Sequence, residues 1–425
     1  MINSICILGL GYIGLPTAAM FASRRIKVIG VDINENVVDT INSGNIHIVE
    51  PGLDEIVKNA VNENCLSASL CPQAADAFFI AVPTPFIASE GDVDIPTPDI
   101  SFVESAVRSI TKVLKKGDIV ILESTSPVGT TESMAEWLAE ERPDLTFPST
   151  HGDDSDIRIA YCPERVLPGA VVEELVSNDR IIGGLSKKCS KIATSIYKIF
   201  VEGKCVSTDA PTAEMVKLTE NASRDVSIAF ANELSIICDK VDIDVWELIE
   251  LANLHPRVNI LQPGPGVGGH CIAVDPWFIV SKTPKESPLI HIARKVNDAK
   301  PGWVIEKVKI AIADLLQENS NKSVNNLTIA CYGLSFKPNI DDLRESPALN
   351  IAKAILEMHS GNVLLVEPHI NNLPKELAGG LLSNIDEAIS EADLHVMLVD
   401  HNAFKNLGPI NGKIIDTKGI WKFID

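Results

Sequence analysis

The first thirty-two residues constrain the fold of this chain more than any other stretch. A short apolar run, Ile5-Cys-Ile-Leu8, leads into Gly9-Leu-Gly11-Tyr12-Ile13-Gly14, and a helical apolar pattern continues through Ala22. A second apolar run, Lys27-Val-Ile-Gly-Val31, ends on Asp32, 23 positions after Gly9. Strand, glycine turn, helix, strand and terminal acid is the order of a dinucleotide-binding βαβ unit. In it Gly9 makes the turn, Gly11 lets a pyrophosphate approach the backbone, and Gly14 lets the helix pack on the strand, with the phosphates on the helix N-terminus. Asp32 is placed to bond an adenosine ribose. Its carboxylate would repel a 2′-phosphate and no arginine follows it, which favours NAD over NADP. The plain alternative is a glycine turn without a cofactor.

The same alternation continues. Up to about residue 205, strand-like runs (Ala77–Val82, Asp118–Leu122, Arg158–Tyr161 and the shorter Arg180-Ile-Ile182) are separated by helical stretches, the pattern of a doubly wound parallel sheet. From about Pro211 to Leu316 the pattern turns helical, with one long helix expected from Pro211 to Asp239. After the polar stretch 318–326, new strand-like runs at Leu327–Tyr332, Asn362–Val366, Leu394–Val399 and Lys413-Ile-Ile415 open a second α/β region. The expected architecture is therefore α/β, with two Rossmann-like doubly wound parallel-sheet domains (1–205 and 318–425) joined by a central helical domain (206–317). A long central helix between two such halves is a natural spine for a homodimer.

Composition excludes several classes of function. With 425 residues and 45% hydrophobic content the chain can bury two or three cores. No stretch approaches the ~20 apolar residues of a membrane span, and the first residues lack the pattern of a signal peptide, so a cytoplasmic protein is expected. Nine cysteines, none in a C-x-x-C pair, indicate neither a disulfide framework nor a zinc site, and no metal is expected. A formal charge of −20 argues against nucleic acid or an anionic membrane as partner. An anionic substrate would then need a local basic cluster.

Chemistry concentrates in a second glycine-rich stretch, Gly264-Pro-Gly-Val-Gly268-Gly-His270-Cys271-Ile-Ala-Val-Asp275-Pro-Trp277. A flexible loop delivering one cysteine to an expected helix start is where a thiol becomes a nucleophile, because helix N-terminal N–H groups favour the thiolate. Asp275, one turn further on, could orient a proton or a water. A tight turn before a structural cysteine is the rival reading. On the long helix Lys217, Asn221 and Arg224 fall at i, i+4 and i+7 on one face, as a site would need and as a solvated stripe would also show. Thr84, Thr125, Glu164 and Arg165 each lie just past an expected strand end, where ligands of open α/β sheets bind.

In this order the motifs resemble the UDP-glucose/GDP-mannose dehydrogenase family: Gly9-x-Gly11-x-x-Gly14, Val82-Pro-Thr84-Pro, Ser124-Thr125, Pro163-Glu164-Arg165, Glu214-Met-Val-Lys217-x-x-x-Asn221, the Cys271 loop, and Phe336-Lys337-Pro-Asn-Ile-Asp-Asp-Leu-Arg344. The resemblance covers essentially the whole chain. Within the family, Asn253-Leu-His255-Pro-Arg257 and His270–Trp277 look most like members acting on UDP-N-acetyl-D-mannosamine for bacterial surface polysaccharides such as enterobacterial common antigen. The resemblance implies a four-electron oxidation of the sugar C6 alcohol with NAD, held as a thiohemiacetal and then a thioester on Cys271. It implies Lys217 as proton acceptor or oxyanion partner, helped by Asn221, Asp275 and Thr125 as positioners of the hydrolytic water, and Glu164 in hydrolysis; Lys217 and Glu164 could exchange roles. Gly9, Gly11, Tyr12, Ile13, Gly14, Asp32, Thr84, Thr125 and Arg344 would hold the cofactor, with Arg344 closing the cleft. Arg165, Val166, Lys217, Asn221, Arg224, His255, Arg257, Gly268, Phe336, Lys337 and Lys418 would surround the substrate, although Lys418 sits in what could be an ordinary polar turn.

Three rivals differ in what they predict. A two-electron hydroxyacid-type dehydrogenase shares the glycine fingerprint and a helix lysine but has no use for Cys271. A sibling acting on UDP-glucose, UDP-N-acetylglucosamine or GDP-mannose differs only in pocket residues that the motifs do not decode. A non-catalytic nucleotide-sugar binder would lose Lys217, Asn221 or Cys271, and all are present.

Overall fold

The computed structural model describes residues 2–87, 95–167, 169–269, 271–319, 321–407 and 410–421. The chain divides into two compact units, Met1–Glu220 with Trp277–Lys282, and Asn221–Pro276 with Thr283–Asp425.

The first unit is built on an eight-stranded sheet: β1 (Ser4–Leu8), β2 (Lys27–Val31), β3 (Leu66–Ser69), β4 (Ala77–Ile80), β5 (Ile119–Leu122), β6 (Arg158–Tyr161), β7 (Arg180–Gly184) and β8 (Cys205–Asp209). The spatial order is β3-β2-β1-β4-β5-β6-β7-β8, so the chain reverses its direction of travel between β1 and β4, the switch point of a doubly wound sheet. Ile5, Ile7, Phe79, Ile119 and Ile121 enter one core, and Cys6, Leu8, Phe78, Ile80, Val120 and Leu122 the other. Burial on both faces is why these strands read as unbroken apolar runs.

The sheet departs from the all-parallel expectation at one edge. β7 runs antiparallel to β6, pairing Ala160 with Gly184 and Tyr161 with Gly183, and β8 follows β7 in parallel. β3 (Leu-Ser-Ala-Ser) and β8 (Cys-Val-Ser-Thr-Asp) went unanticipated because each is an edge strand, partly exposed and mostly of small or polar residues.

In the second unit the sheet has five parallel strands, β9 (Thr328–Tyr332), β10 (Asn362–Val366), β11 (Leu381–Leu382), β12 (Leu394–Met397) and β13 (Lys413–Asp416), in the order β11-β10-β9-β12-β13. It repeats the construction of the first. Gly333 after β9 donates its N–H to Val366, and Leu334 donates to the Glu367 carboxylate; Gly9 and Leu10 do the same to Val31 and Asp32. Both glycines lie near φ +90°, a conformation that only glycine adopts without strain. The long helix runs Ala210–Val241, one residue longer at its start and two at its end than expected, and is followed by helices Val245–Ala252 and Pro288–Glu318.

Candidate active site

In the first unit the glycine turn is shaped by sterics. A side chain at Gly9 would put its Cβ 2.4 Å from the Ala81 carbonyl oxygen, and one at Gly14 would sit 1.8 Å from the Gly9 oxygen. A Cβ at Gly11 would meet no protein atom within 4 Å, so the open space beside it is not needed for packing and fits a diphosphate drawn close to the backbone. The helix Gly14–Ser23 follows directly, Ile13 giving it no side-chain cap. Tyr12 is 42% exposed at the turn. The Asp32 carboxylate accepts N–H groups from Leu10 at 3.1 Å and Asn34 at 2.9 Å, which orients it beside the turn. The Thr84 hydroxyl donates to the Thr125 carbonyl at 2.6 Å and the Ser124 hydroxyl to Val82 at 2.7 Å, tying the loops after β4 and β5 together.

Glu164 is buried. Its carboxylate accepts from Arg180 at 2.7 Å and from the Arg165 N–H at 2.7 Å. The Arg180 guanidinium lies 5.5 Å from the centre of the Tyr197 ring, and the Tyr197 hydroxyl donates to Glu123 at 2.7 Å. Burial, with the nearby Glu164 charge adding to it, pushes the Glu123 carboxyl up to about 7. The Arg165 side chain is held by Glu220 at 2.7 Å, and Val166 packs against the core. Lys217 is half-buried and, among the described residues, has no hydrogen-bond or ion-pair partner.

In the second unit the helix expected at Cys271 begins instead at Asp275. Cys271 to Val274 form a turn in which the Cys271 carbonyl accepts N–H groups from Val274 at 3.1 Å and Asp275 at 2.9 Å. The start follows the sequence Asp275-Pro276: an acid in the first turn and a proline, whose missing N–H is harmless there, are both helix-start signals. Cys271 is exposed and unbridged, and His270 lies outside the described residues. Asp275 is buried and accepts a hydrogen bond from the Asn221 amide at 2.5 Å, so two expected site residues 54 positions apart meet.

The glycine loop is packed tightly. A Cβ on Gly268 would lie 2.3 Å from the Glu345 carbonyl oxygen and 3.1 Å from the Phe336 Cβ, and one on Gly264 would lie 3.5 Å from the Lys418 Nζ. Gly268, Phe336 and Lys418 are thus brought to one loop. Lys418 is paired with Asp400 at 3.0 Å, in a turn that Asp416 organises by accepting the N–H groups of Lys418, Gly419 and Trp421. Arg344 is paired with Asp342 at 2.6 Å. Lys337 is half-buried, whereas Arg224, His255 and Arg257 are exposed. Among the described residues no hydrogen bond or ion pair joins the side chains of these three to the loop.

Sequence reasoning missed four buried polar residues of this unit: Asp225, Asn232, Arg294 and Asn297. The signal was present, since Asp225 and Asn232 lie seven apart on the long helix and Arg294-x-x-Asn297 lies on one face of helix Pro288–Glu318, but the two segments are distant in sequence. Glu367, His369 and His401 bring potential ligand atoms within 4.8 Å of one another. His401 spends both ring nitrogens inside the protein, one accepting the Asn339 N–H and the other meeting Glu367 at 3.0 Å. No helix among the described residues is long and apolar enough to cross a membrane.

Comparison with known proteins places these features in context. Three models of the UDP-glucose/GDP-mannose dehydrogenase family match the chain: the NAD binding domain over residues 3–201, the central domain over 211–299 and the UDP binding domain over 330–423. The chain is 62% identical over 424 residues to UDP-N-acetyl-D-mannosamine dehydrogenase of Yersinia pestis, with 99% of each covered. It is 58% identical over 422 residues to NDP-N-acetyl-D-galactosaminuronic acid dehydrogenase of Ralstonia nicotianae, covering 99% of this chain and 96% of the relative. Its structure is similar to that of the UDP-D-ManNAc dehydrogenase of Pyrococcus horikoshii, with a TM-score of 0.86 at 38% identity over 99% of this chain and 96% of the other.

Proposed function

Because the chain belongs to the UDP-glucose/GDP-mannose dehydrogenase family and is an NAD-dependent oxidoreductase, we propose that it oxidises the C6 alcohol of UDP-N-acetyl-D-mannosamine to the carboxylate. The observation that carries this reading is the packed glycine loop that presents an exposed Cys271 one turn before Asp275, itself bonded to Asn221.

NAD, when bound at the Gly9–Gly14 turn and Asp32, supplies the hydride acceptor for both oxidations. Lys217 takes the proton of the C6 hydroxyl while Asn221 holds the oxygen. The Cys271 thiolate adds to the aldehyde carbon, the aldehyde oxygen takes back the proton held by Lys217, and the C–S bond of the thiohemiacetal keeps the intermediate on the protein. Loss of the remaining carbon-bound hydrogen as hydride, with the hydroxyl proton passing back to Lys217, leaves a thioester. A water positioned by Asp275 and Thr125 then adds to its carbonyl, the C–S bond breaks, and the thiolate departs as the acid forms. Glu164 takes the proton of that water; exchanging its role with that of Lys217 leaves the stoichiometry unchanged.

We assign residues 1–205 to NAD binding, 206–317 to the central helical domain and 318–425 to the UDP-sugar, in keeping with the spans of the family models. Arg165, Arg224, His255, Arg257, Lys337 and Lys418 supply the basic surroundings that a diphosphate needs in a chain of charge −20. Exposed Phe230, Ile237 and Val241 on the long helix support a homodimer. A cytoplasmic enzyme making the uronate for a surface polysaccharide of the enterobacterial common antigen type completes the proposal.

The test is the number of NADH formed per UDP-N-acetyl-D-mannosamine consumed with excess NAD. Two establishes the four-electron oxidation, and one sinks the covalent mechanism. No reaction, with turnover of UDP-glucose or of the galactosamine nucleotide instead, replaces the sugar. The 58% identity to a relative named for galactosaminuronic acid makes that arm necessary.

A further inference from the structure

We infer that Asp225, Asn232, Arg294 and Asn297 form a positioning frame that holds the Cys271 loop at both ends; the inference rests on the reading of Cys271 as the nucleophile. At the upstream end the Gly264 N–H donates to the Asn232 side-chain oxygen at 2.9 Å. The Asn232 amide nitrogen donates to the Asn297 side-chain oxygen at 2.8 Å, and the Asn297 nitrogen donates in turn to the Asp225 carboxylate at 2.8 Å. The same Asp225 oxygen accepts from Arg294 at 2.5 Å. Arg294 closes the circuit with an N–H that faces the carbonyl of Ile272, the residue after Cys271, at 3.5 Å. The path Gly264–Asn232–Asn297–Asp225–Arg294–Ile272 therefore starts and ends on the loop, with Cys271 inside it.

Three features separate this frame from ordinary core polarity. All four side chains are buried at 1% exposure or less, so the bonds among them form away from competing water. The direction of the circuit fixes both amides, since turning either one over would set oxygen against oxygen or N–H against N–H. The second Asp225 oxygen and the Arg294 Nε are buried without a hydrogen bond, so the network is not arranged for greatest stability. A buried ion pair of this kind commonly contributes no more than apolar residues of equal volume. Its effect is better placed in holding one conformation of a glycine-rich segment. A nucleophile misplaced by about 1 Å can lose about a hundredfold in rate.

The test uses the intact enzyme and two variants. Asn232→Ala removes the upstream tie, and Arg294→Lys keeps a cation near Asp225 but replaces the planar fork that bonds Asp225, Asp298 and the Ile272 carbonyl together. Three quantities are read: kcat and KM, cooperative thermal unfolding, and the pH profile of iodoacetamide alkylation at Cys271, followed by peptide mass spectrometry. The frame predicts about a tenfold or greater fall in kcat, a KM for NAD within about twofold of the parent, and a displaced alkylation profile in a folded protein. Either folded variant with parental kcat and parental alkylation overturns it. So does a variant that loses kcat and thermal stability while its alkylation profile stays parental, because that describes a merely structural role. If Asn232→Ala fails to fold, Arg294→Lys decides by the same criteria. Cys271→Ser retaining turnover would instead defeat the nucleophile reading, and alkylation of Cys271 in the two frame variants would still report whether the frame holds the loop.

Discussion

Asn221 and Asp275 are joined by a 2.5 Å hydrogen bond from the amide nitrogen to the carboxylate, and Asp275 is tied in turn to Cys271 through its backbone N–H. The long helix and the cysteine turn thus share one buried carboxylate. With an amide in its place two N–H₂ groups compete for too few acceptors. Asp275→Asn is expected to lower kcat by about two orders of magnitude, the scale on which a misplaced reacting group loses rate, with NAD affinity unchanged within about twofold. Intact-mass measurement during turnover should then show the acyl-enzyme accumulating. Parental kcat would remove Asp275 from the hydrolytic step.

The glycine turn predicts opposite fates for two neighbouring substitutions. Gly14→Ala drives a methyl into the Gly9 carbonyl and should destabilise the fold by several kcal/mol. Gly11→Ala meets no protein atom, so its melting temperature should stay close to the parent, while NAD affinity falls about tenfold or more through contact with the ligand. Calorimetry and fluorescence titration of the two variants separate the effects. Tight NAD binding by Gly11→Ala would contradict the assigned phosphate position.

On the proposed reading, Asp32 selects the cofactor by charge. Asp32→Ser should raise kcat/KM for NADP relative to NAD about tenfold or more, by removing the repulsion of a 2′-phosphate. Because Leu10 and Asn34 also lose their acceptor, some affinity for NAD itself should be lost. An unchanged cofactor ratio would place the ribose elsewhere.

Glu123 makes stability depend on pH. Its carboxyl titrates near 7 in the folded chain, against an ordinary value of 4.5, because burial and the nearby Glu164 charge oppose ionisation. Between those values the folded chain keeps a proton that the unfolded chain has released. The contribution is therefore fully present below pH 4.5 and is lost as pH rises through about 7, a change on the order of 3 kcal/mol. Glu123→Gln should flatten this slope in urea unfolding measured from pH 4.5 to 8. An equal slope in the variant would assign the titration to another group.

The sequence made the central strands legible because both faces are buried and every position is apolar, as in Ile119–Leu122. Edge strands gave no such signal: β8 alternates nothing and is partly exposed. The glycine turn was legible because its signal is local, all of it lying between Gly9 and Gly14. The sequence was misread at Cys271, where the helix-start signal of Asp275-Pro276 belonged four residues downstream. Asn232 and Asn297 escaped notice because they become partners only after 65 residues of chain have folded back.

The close fit of Gly268 against Glu345 and Phe336 has a consequence for recombination between relatives. A chimera joined near residue 318 would draw the two sides of that contact from different parents. Gly268 has no room for even one methyl group, so crossovers that keep 264–269 and 336–347 from the same parent should survive, and those that separate them should be purged.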